Sequence, residues 1–310
     1  MKIFLNNSNE SWIVDRFVEE FSNFYPDLIT SNIKEADIIW IISPWTWRKI
    51  SKKELKLKKV ICTIHHIDFD KFEGKEGKEG KEFYKLDKFV NHYHAISKIT
   101  KSQLRKITDK QIVTLPFWVN QNIWYDISNK KNIREKYGFS STDYLVGSFQ
   151  RDTEGKDLTS PKLIKGPDIF LNIVKKINDK NKNLKIVLTG KRRDYLINNF
   201  QSLNLPFRYF EMVDLASLNE LYNILDLYIV TSRVEGGPQA ILECALSKTP
   251  IVSTNVGIAS EILDSSSIFE EAKFATARPN VNVAFKNSIQ YTIPKGMEKF
   301  VNMFKNFYEN

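Results

Sequence analysis

Two carboxylates eight residues apart, Glu235 and Glu243, sit in the segment SRVEGGPQAILECALSKTPIVSTNVG, residues 232–257. The strand-like run DLYIVT precedes it. The segment should therefore begin at the carboxyl end of a parallel strand, the edge at which open α/β sheets bind ligands. Gly236 and Gly237 let the backbone turn sharply and approach a ligand closely, and Pro238 has φ preset for a first helical position. A helix starting there turns unpaired N–H groups toward the turn, where an anion could sit. Gln239, Glu243 and Ser247 share one face of that helix by their i, i+4 spacing, with Ile241, Leu242, Ala245 and Leu246 on the buried side. A carboxylate so close to apolar surroundings is costly unless it accepts hydrogen bonds. A pair of sugar hydroxyls would supply them. Without a ligand, the same string reads as a βαβ turn with a capping glutamate.

The elements that must hold this turn follow a regular rhythm. Residues 2–5, 37–42, 60–64, 92–96 and 112–115 read as short buried strands, with amphipathic segments such as 12–24 and 99–107 between them. A second series runs through 144–149, 184–188, 207–210, 227–230 and 251–253. That alternation predicts parallel sheets with crossover helices. At 310 residues the chain is long enough for two cores of ordinary domain size. We place the boundary near Thr142, after a helix at 133–137 and the stop signal Gly138. The predicted division is 1–141, 142–294 and a terminal helix within 295–310. A hydrophobic content of 42% fits a globular chain rather than a disordered one. Cys62 and Cys244, the only cysteines, both lie in apolar contexts. That argues against a disulfide scaffold or a cysteine metal site and fits a reducing cytoplasm. The opening MKIFLNNS has no hydrophobic leader-like run, and no stretch approaches the ~18 apolar residues of a membrane span.

The 232–257 string, with its two glutamates, glycines, helix, the Thr249-Pro250-Ile251-Val252 strand and the later NVGIASEIL, resembles the donor-site motif of the retaining glycosyltransferases of family 4. The resemblance implies the GT-B fold, two Rossmann-like α/β domains facing across a cleft, with a final helix crossing back to the first domain. It is specific over about residues 144–263 and looser before that. IREKYGFSSTDYLVGSFQR resembles the family's linker helix and the first strand of its second domain, ending at Arg151. Lys165-Gly166, followed by a helix over 168–177, resembles a Lys-Gly pair whose lysine, with that arginine, contacts the donor diphosphate. Fixed cations there would stabilise the negative charge of the departing nucleotide without a metal. Lys156 competes with Lys165, which is favoured by the glycine and helix behind it. In LPFWVNQNIWY (115–125), Phe117 and Trp118 replace the family's usual Asn-Gly. The first loop, NNSNESW (6–12), lacks the glycines many relatives carry, so no contacts transfer there.

TIHHIDFD (63–70) ends a first-domain strand. The resemblance implies that His65 faces the donor sugar, although a histidine at a strand end is more often a satisfied structural group. His92 and His94 alternate along one strand and read as strand residues. Asp68 and Asp70 match the weak Asp-X-Asp pattern by which a different glycosyltransferase fold holds a divalent metal. No metal site is expected here.

Lys plus Arg total 46 against 37 Asp plus Glu, a net charge of +9. Residues 1–140 hold 25 basic and 18 acidic side chains, most of the excess. The densest part, PWTWRKISKKELKLKK (44–59), suits an anionic membrane surface, an acidic acceptor or a solvated helix. No nucleic-acid module accompanies the charge. The triplet repeat GKEGKEGKE (74–82) reads as a flexible loop.

The resemblance thus implies a retaining, metal-independent hexosyltransferase of polysaccharide biosynthesis. It would be cytoplasmic, or peripheral at the inner membrane face, and would carry no resident cofactor. It would move a sugar from a UDP-sugar, or a GDP-sugar, to a glycan or lipid-linked acceptor. Glu235 and His65 would act at the reacting sugar. Arg151, Lys165, Gly236, Gly237, Pro238, Gln239 and Glu243 would hold the donor, with Glu243 on the ribose. The alternatives are a nucleotide-sugar epimerase of the same fold and a non-catalytic sugar-nucleotide-binding relative. Intact Glu235, Glu243, Arg151 and Lys165 argue against loss of activity.

Overall fold

Short buried runs joined by amphipathic segments cannot hide both sheet faces within one layer, and here they fold as two separate parallel sheets. The computed structural model describes residues 1–7, 13–74, 77–155 and 158–309. Residues 1–117 with 294–310 make one compact unit, and 118–293 make the other. Among the described residues no helix is long and apolar enough to cross a membrane.

Among its described residues the first unit has five strands, β1 (Ile3–Leu5), β2 (Ile38–Ile41), β3 (Lys59–Ile64), β4 (His92–Ala95) and β5 (Gln111–Thr114), paired in that order and all parallel. Period-two alternation divides their side chains between two faces. Ile39, Ile41, Val60, Cys62 and Tyr93 pack with Trp47, Leu55 and Leu86 on one face. On the other, Trp40 meets Phe21 of helix Ile13–Phe24 (5.8 Å between ring centroids) and Phe304 of helix Lys295–Glu309 (5.0 Å). Lys59 Nζ donates to the carbonyls of Phe307 and Tyr308, a cation at the negative end of that terminal helix.

Two readings of local sequence change in this unit. The 74–82 repeat is not a loop throughout, because its second half begins helix Lys78–Asp87. Phe83 and Leu86 supply the apolar anchor, and Phe83 stacks on Tyr93 at 5.6 Å. Of the two tryptophans in the basic segment, Trp47 is buried beneath Arg48, whose guanidinium lies 4.9 Å from its ring. Arg48 also holds Glu82 with two hydrogen bonds of 2.9 Å. Trp45 stays exposed, with Lys49, Lys52, Lys53 and Lys56.

Among its described residues the second unit has six parallel strands, β6 (Tyr144–Ser148), β7 (Leu184–Thr189), β8 (Phe207–Phe210), β9 (Leu227–Val230), β10 (Ile251–Thr254) and β11 (Ile268–Phe269). Their order is β11-β10-β9-β6-β7-β8. The chain moves outward one way from β6 to β8, then returns beside β6 and moves out the other way. The crevice at the carboxyl ends of β6 and β9 is therefore the topological switch point.

The packing boundary falls at Trp118, not near Thr142, because residues 118–141 are bound to the second core. Trp124 lies edge-on to Tyr222 at 5.6 Å. Asn223 Nδ2 donates to the Tyr125 carbonyl. Arg134 pairs with Asp226 at 2.8 Å and donates to the Ile224 carbonyl.

Candidate functional site

β6 and β9 end side by side, so the loops they launch, Phe149–Arg151 and Thr231–Gly237, share the switch point. Ser232 Oγ donates to Gln150 Oε1 at 2.9 Å, and the Phe149 amide donates to the Tyr228 hydroxyl at 3.0 Å. Beneath them Arg193, fully buried, donates from Nη1 to the carbonyls of Ser148 and Thr189 and from Nε to Asp152. It ties the ends of β6 and β7 together. Burial pushes the Asp152 carboxyl up to about 6, against the attraction of Arg193. The arginine stands in the cation-rich stretch TGKRRDY (189–195), which carries no sign of its buried partner Asp152.

A third segment closes on the same edge. Residues Leu163–Lys165 form one 3-10 turn, Gly166 follows at φ +62°, and helix Pro167–Lys180 begins. A Cβ built on Gly166 would lie 1.8 Å from the Thr231 carbonyl oxygen, so only glycine permits this approach. The effect is to bring Lys165 against Glu235, 70 residues along the chain, as an ion pair of two largely enclosed side chains. Gly257 (φ +52°) approaches the other side of the turn, where its Cβ would fall 2.4 Å from the Gly236 carbonyl oxygen. Thr254 Oγ1 donates to the Ser232 carbonyl. The turn is thus gripped from both flanks.

Glu243 lies on helix Gln239–Leu246, buried at 6% exposure, and accepts a 3.0 Å hydrogen bond from the Tyr222 hydroxyl. The protein itself therefore supplies a donor that the sequence assigned to a ligand alone. Tyr222, 21 residues earlier on the separate helix Leu215–Ile224, could not be found by spacing. Burial and the Glu243 carboxylate push its phenol well above the ordinary value, so it remains a donor. Gln239 Nε2 donates to the Trp118 carbonyl and Ser247 Oγ to Asn219 Oδ1, so the polar face of the helix is engaged along its length. Pro238 caps this helix with φ −58° rather than forming its first residue.

The other candidates are placed differently. Arg151 is exposed and donates from Nε to the Thr153 carbonyl. Partial desolvation of its guanidinium and the neighbouring Arg192 charge lower its pKa. Lys156 lies outside the described residues, as do Ser8 to Trp12 of the first loop. In the first unit, His65 follows β3; its Nε2 lies 2.8 Å from the Ile42 carbonyl and its ring 5.7 Å from that of Trp45. His94 is an interior residue: Nε2 meets the Leu115 carbonyl at 2.7 Å, and Nδ1 meets Thr63 Oγ1 at 2.9 Å. Asp68 caps the short helix Phe69–Phe72 by accepting from the Asp70 amide. Among the described residues no cluster of three or more His, Cys, Asp or Glu could hold a metal. A cavity of about 680 Å³ lies at the opposite, amino-terminal edge of the second sheet, beside Arg134, Asp226 and Lys248, away from these residues.

The family model described as glycosyl transferases group 1 matches residues 129–289. No curated protein matches the sequence. Among solved structures, Anabaena HepE in complex with UDP-glucose superposes with a TM-score of 0.75 at 13% identity, over 98% of this chain and 99% of that one. Sucrose-phosphate synthase from Thermosynechococcus elongatus gives 0.69 at 13% identity, over 96% and 78%. A structure of S. aureus TarM with UDP, Fondaparinux and alpha-GlcNAc-glycerol gives 0.66 at 15% identity, over 94% and 58%. The two parallel α/β sheets have the GT-B fold.

Proposed function

The chain belongs to the glycosyl transferases group 1 family, and on that premise we propose that it moves a sugar from a UDP-sugar, with GDP as the alternative base, to a glycan or lipid-linked acceptor with retention at the anomeric carbon. The observation that carries this reading is the convergence of Lys165, Glu235 and the Glu243 helix at the switch point of the second sheet. The bond from the anomeric carbon to the diphosphate oxygen breaks as the acceptor oxygen bonds the same carbon from the same face. The acceptor proton passes to the departing phosphate. Lys165 offsets the charge gained by that phosphate, a term that grows toward the transition state. Glu235 accepts from hydroxyls of the reacting sugar, and Glu243 from those of the ribose. Arg151 is assigned to the diphosphate as a second cation. His65 is the first unit's candidate for the reacting sugar.

HepE was solved with UDP-glucose and TarM with UDP, which favours UDP as the first nucleotide to try. The test is thermal unfolding with UDP, GDP and their sugars, followed by nucleotide release with and without an acceptor extract. A nucleotide at 100 times its Kd should stabilise by about 2.7 kcal/mol. No stabilisation by any nucleoside diphosphate would refute the donor site. Sugar epimerisation without transfer would favour the same-fold epimerase, and binding without turnover a non-catalytic relative.

A further inference from the structure

Two segments carry the proposed donor contacts, and beside the Lys165–Glu235 pair a second, bidentate side-chain pair ties them together. Arg233 sits two residues before Glu235, on the loop that leaves β9. Its guanidinium donates from Nη1 to Asp168 Oδ1 at 2.8 Å and from Nη2 to Asp168 Oδ2 at 2.6 Å. Asp168 lies three residues after Lys165, in the first turn of helix Pro167–Lys180. Nη1 also donates to the Leu163 carbonyl, two residues before Lys165, at 2.9 Å. The guanidinium therefore grips the chain on both sides of Lys165. The backbone completes the seam: the amides of Arg233 and Val234 both donate to the Ile164 carbonyl, at 2.8 and 3.1 Å.

We propose that Arg233 and Asp168 are positioning residues that set Lys165 and Glu235 in register for the donor diphosphate and sugar, a role that rests on the donor-site reading above. Each partner holds the other charged: hydrogen bonding to Asp168 raises the Arg233 pKa, and hydrogen bonding to Arg233 lowers that of Asp168. The pair is not a core element, since the two side chains are 40% and 31% exposed. Ion pairs so exposed add little to global stability. What the fork does add is geometry. A planar guanidinium binding both carboxylate oxygens fixes distance and angle together, which a lysine's point charge cannot. Small misplacements of charge-stabilising groups can cost two orders of magnitude in rate. The pair therefore acts on the register of the site far more than on the fold.

The experiment uses the full chain and UDP as probe, with UDP-glucose for turnover. Asp168→Asn and Arg233→Lys should each weaken UDP binding or slow turnover by about ten- to a hundredfold. The unfolding temperature should move by less than about 4 °C. Because the pair acts on the diphosphate through Lys165, adding Asp168→Asn to Lys165→Ala should cost little further UDP affinity beyond Lys165→Ala alone. An independent contact would add its full effect. Wild-type binding and turnover in Asp168→Asn and Arg233→Lys would overturn the proposal. So would losses that track a large fall in unfolding temperature, or full additivity with Lys165→Ala in UDP affinity. If the wild-type chain itself ignores UDP and GDP, the donor reading fails first, and that failure is visible before any variant is made.

Discussion

Glu243 gives the sharpest test of the donor site, because its surroundings separate a structural role from a ligand-binding one. The carboxylate is 6% exposed and takes the Tyr222 hydroxyl at 3.0 Å. Tyr222→Phe removes that donor and leaves the ring in place. A hydrogen bond to a charged group is worth about 1.5–3 kcal/mol. For a unit of this size the loss should lower the unfolding temperature by roughly 3–12 °C. Glu243→Gln does the converse. Its amide oxygen can still accept from Tyr222, so stability should change little, but the charge that would grip the ribose is gone. If the carboxylate binds ribose hydroxyls, UDP affinity should fall about ten- to more than a hundredfold, the same 1.5–3 kcal/mol read as binding. Calorimetric Kd values and thermal unfolding of both single variants and the double variant complete a cycle. Residues in direct contact should show an interaction energy of about 0.5–3 kcal/mol. UDP binding by Glu243→Gln at the wild-type Kd would refute the ribose assignment and leave Glu243 as a buried partner of Tyr222.

Glu235→Gln should lower turnover while largely sparing UDP affinity, whereas Lys165→Ala should reduce both, since the diphosphate is present in substrate and transition state alike. Unchanged turnover in Glu235→Gln would remove that residue from the chemistry. Burial pushes the His94 imidazole from 6.5 down to about 4. Below pH 6.5 the unfolded chain takes up a proton that the folded chain refuses, so stability falls as pH drops from 6.5 to about 4. At 1.36 kcal/mol per pKa unit the loss is about 3 kcal/mol. In denaturant titrations His94→Gln should lose this component of the pH dependence, and a wild-type slope in the variant would contradict the assignment. Turnover should survive excess EDTA if Lys165 and Arg151 neutralise the diphosphate. Loss of activity restored by Mg²⁺ or Mn²⁺ would return attention to Asp68 and Asp70. The exposed set Trp45, Lys49, Lys52, Lys53 and Lys56 should bind anionic vesicles more weakly as salt rises. Absence of binding at low salt would remove the peripheral-membrane reading and leave a solvated surface.

The sequence by itself determined the parallel-sheet rhythm, ten of the eleven strands among the described residues to within a residue or two, and the family motif. These are carried by local chemistry: period-two burial, glycines at special backbone angles, and a helix start behind Lys165-Gly166 and Glu235. The two-residue β11 escaped because so short a run has no periodicity to read. Tertiary structure alone decided what meets what. The return of β9 beside β6 places Lys165 against Glu235 and lets Arg233 reach Asp168 across 65 residues. The helix packed beneath Glu243 supplies Tyr222. Burial likewise chose between Trp45 and Trp47 and drew residues 78–82 into a helix. Such outcomes depend on which surfaces the crossovers bring together, and a side chain's local neighbours carry no record of the distant residues that will cover it.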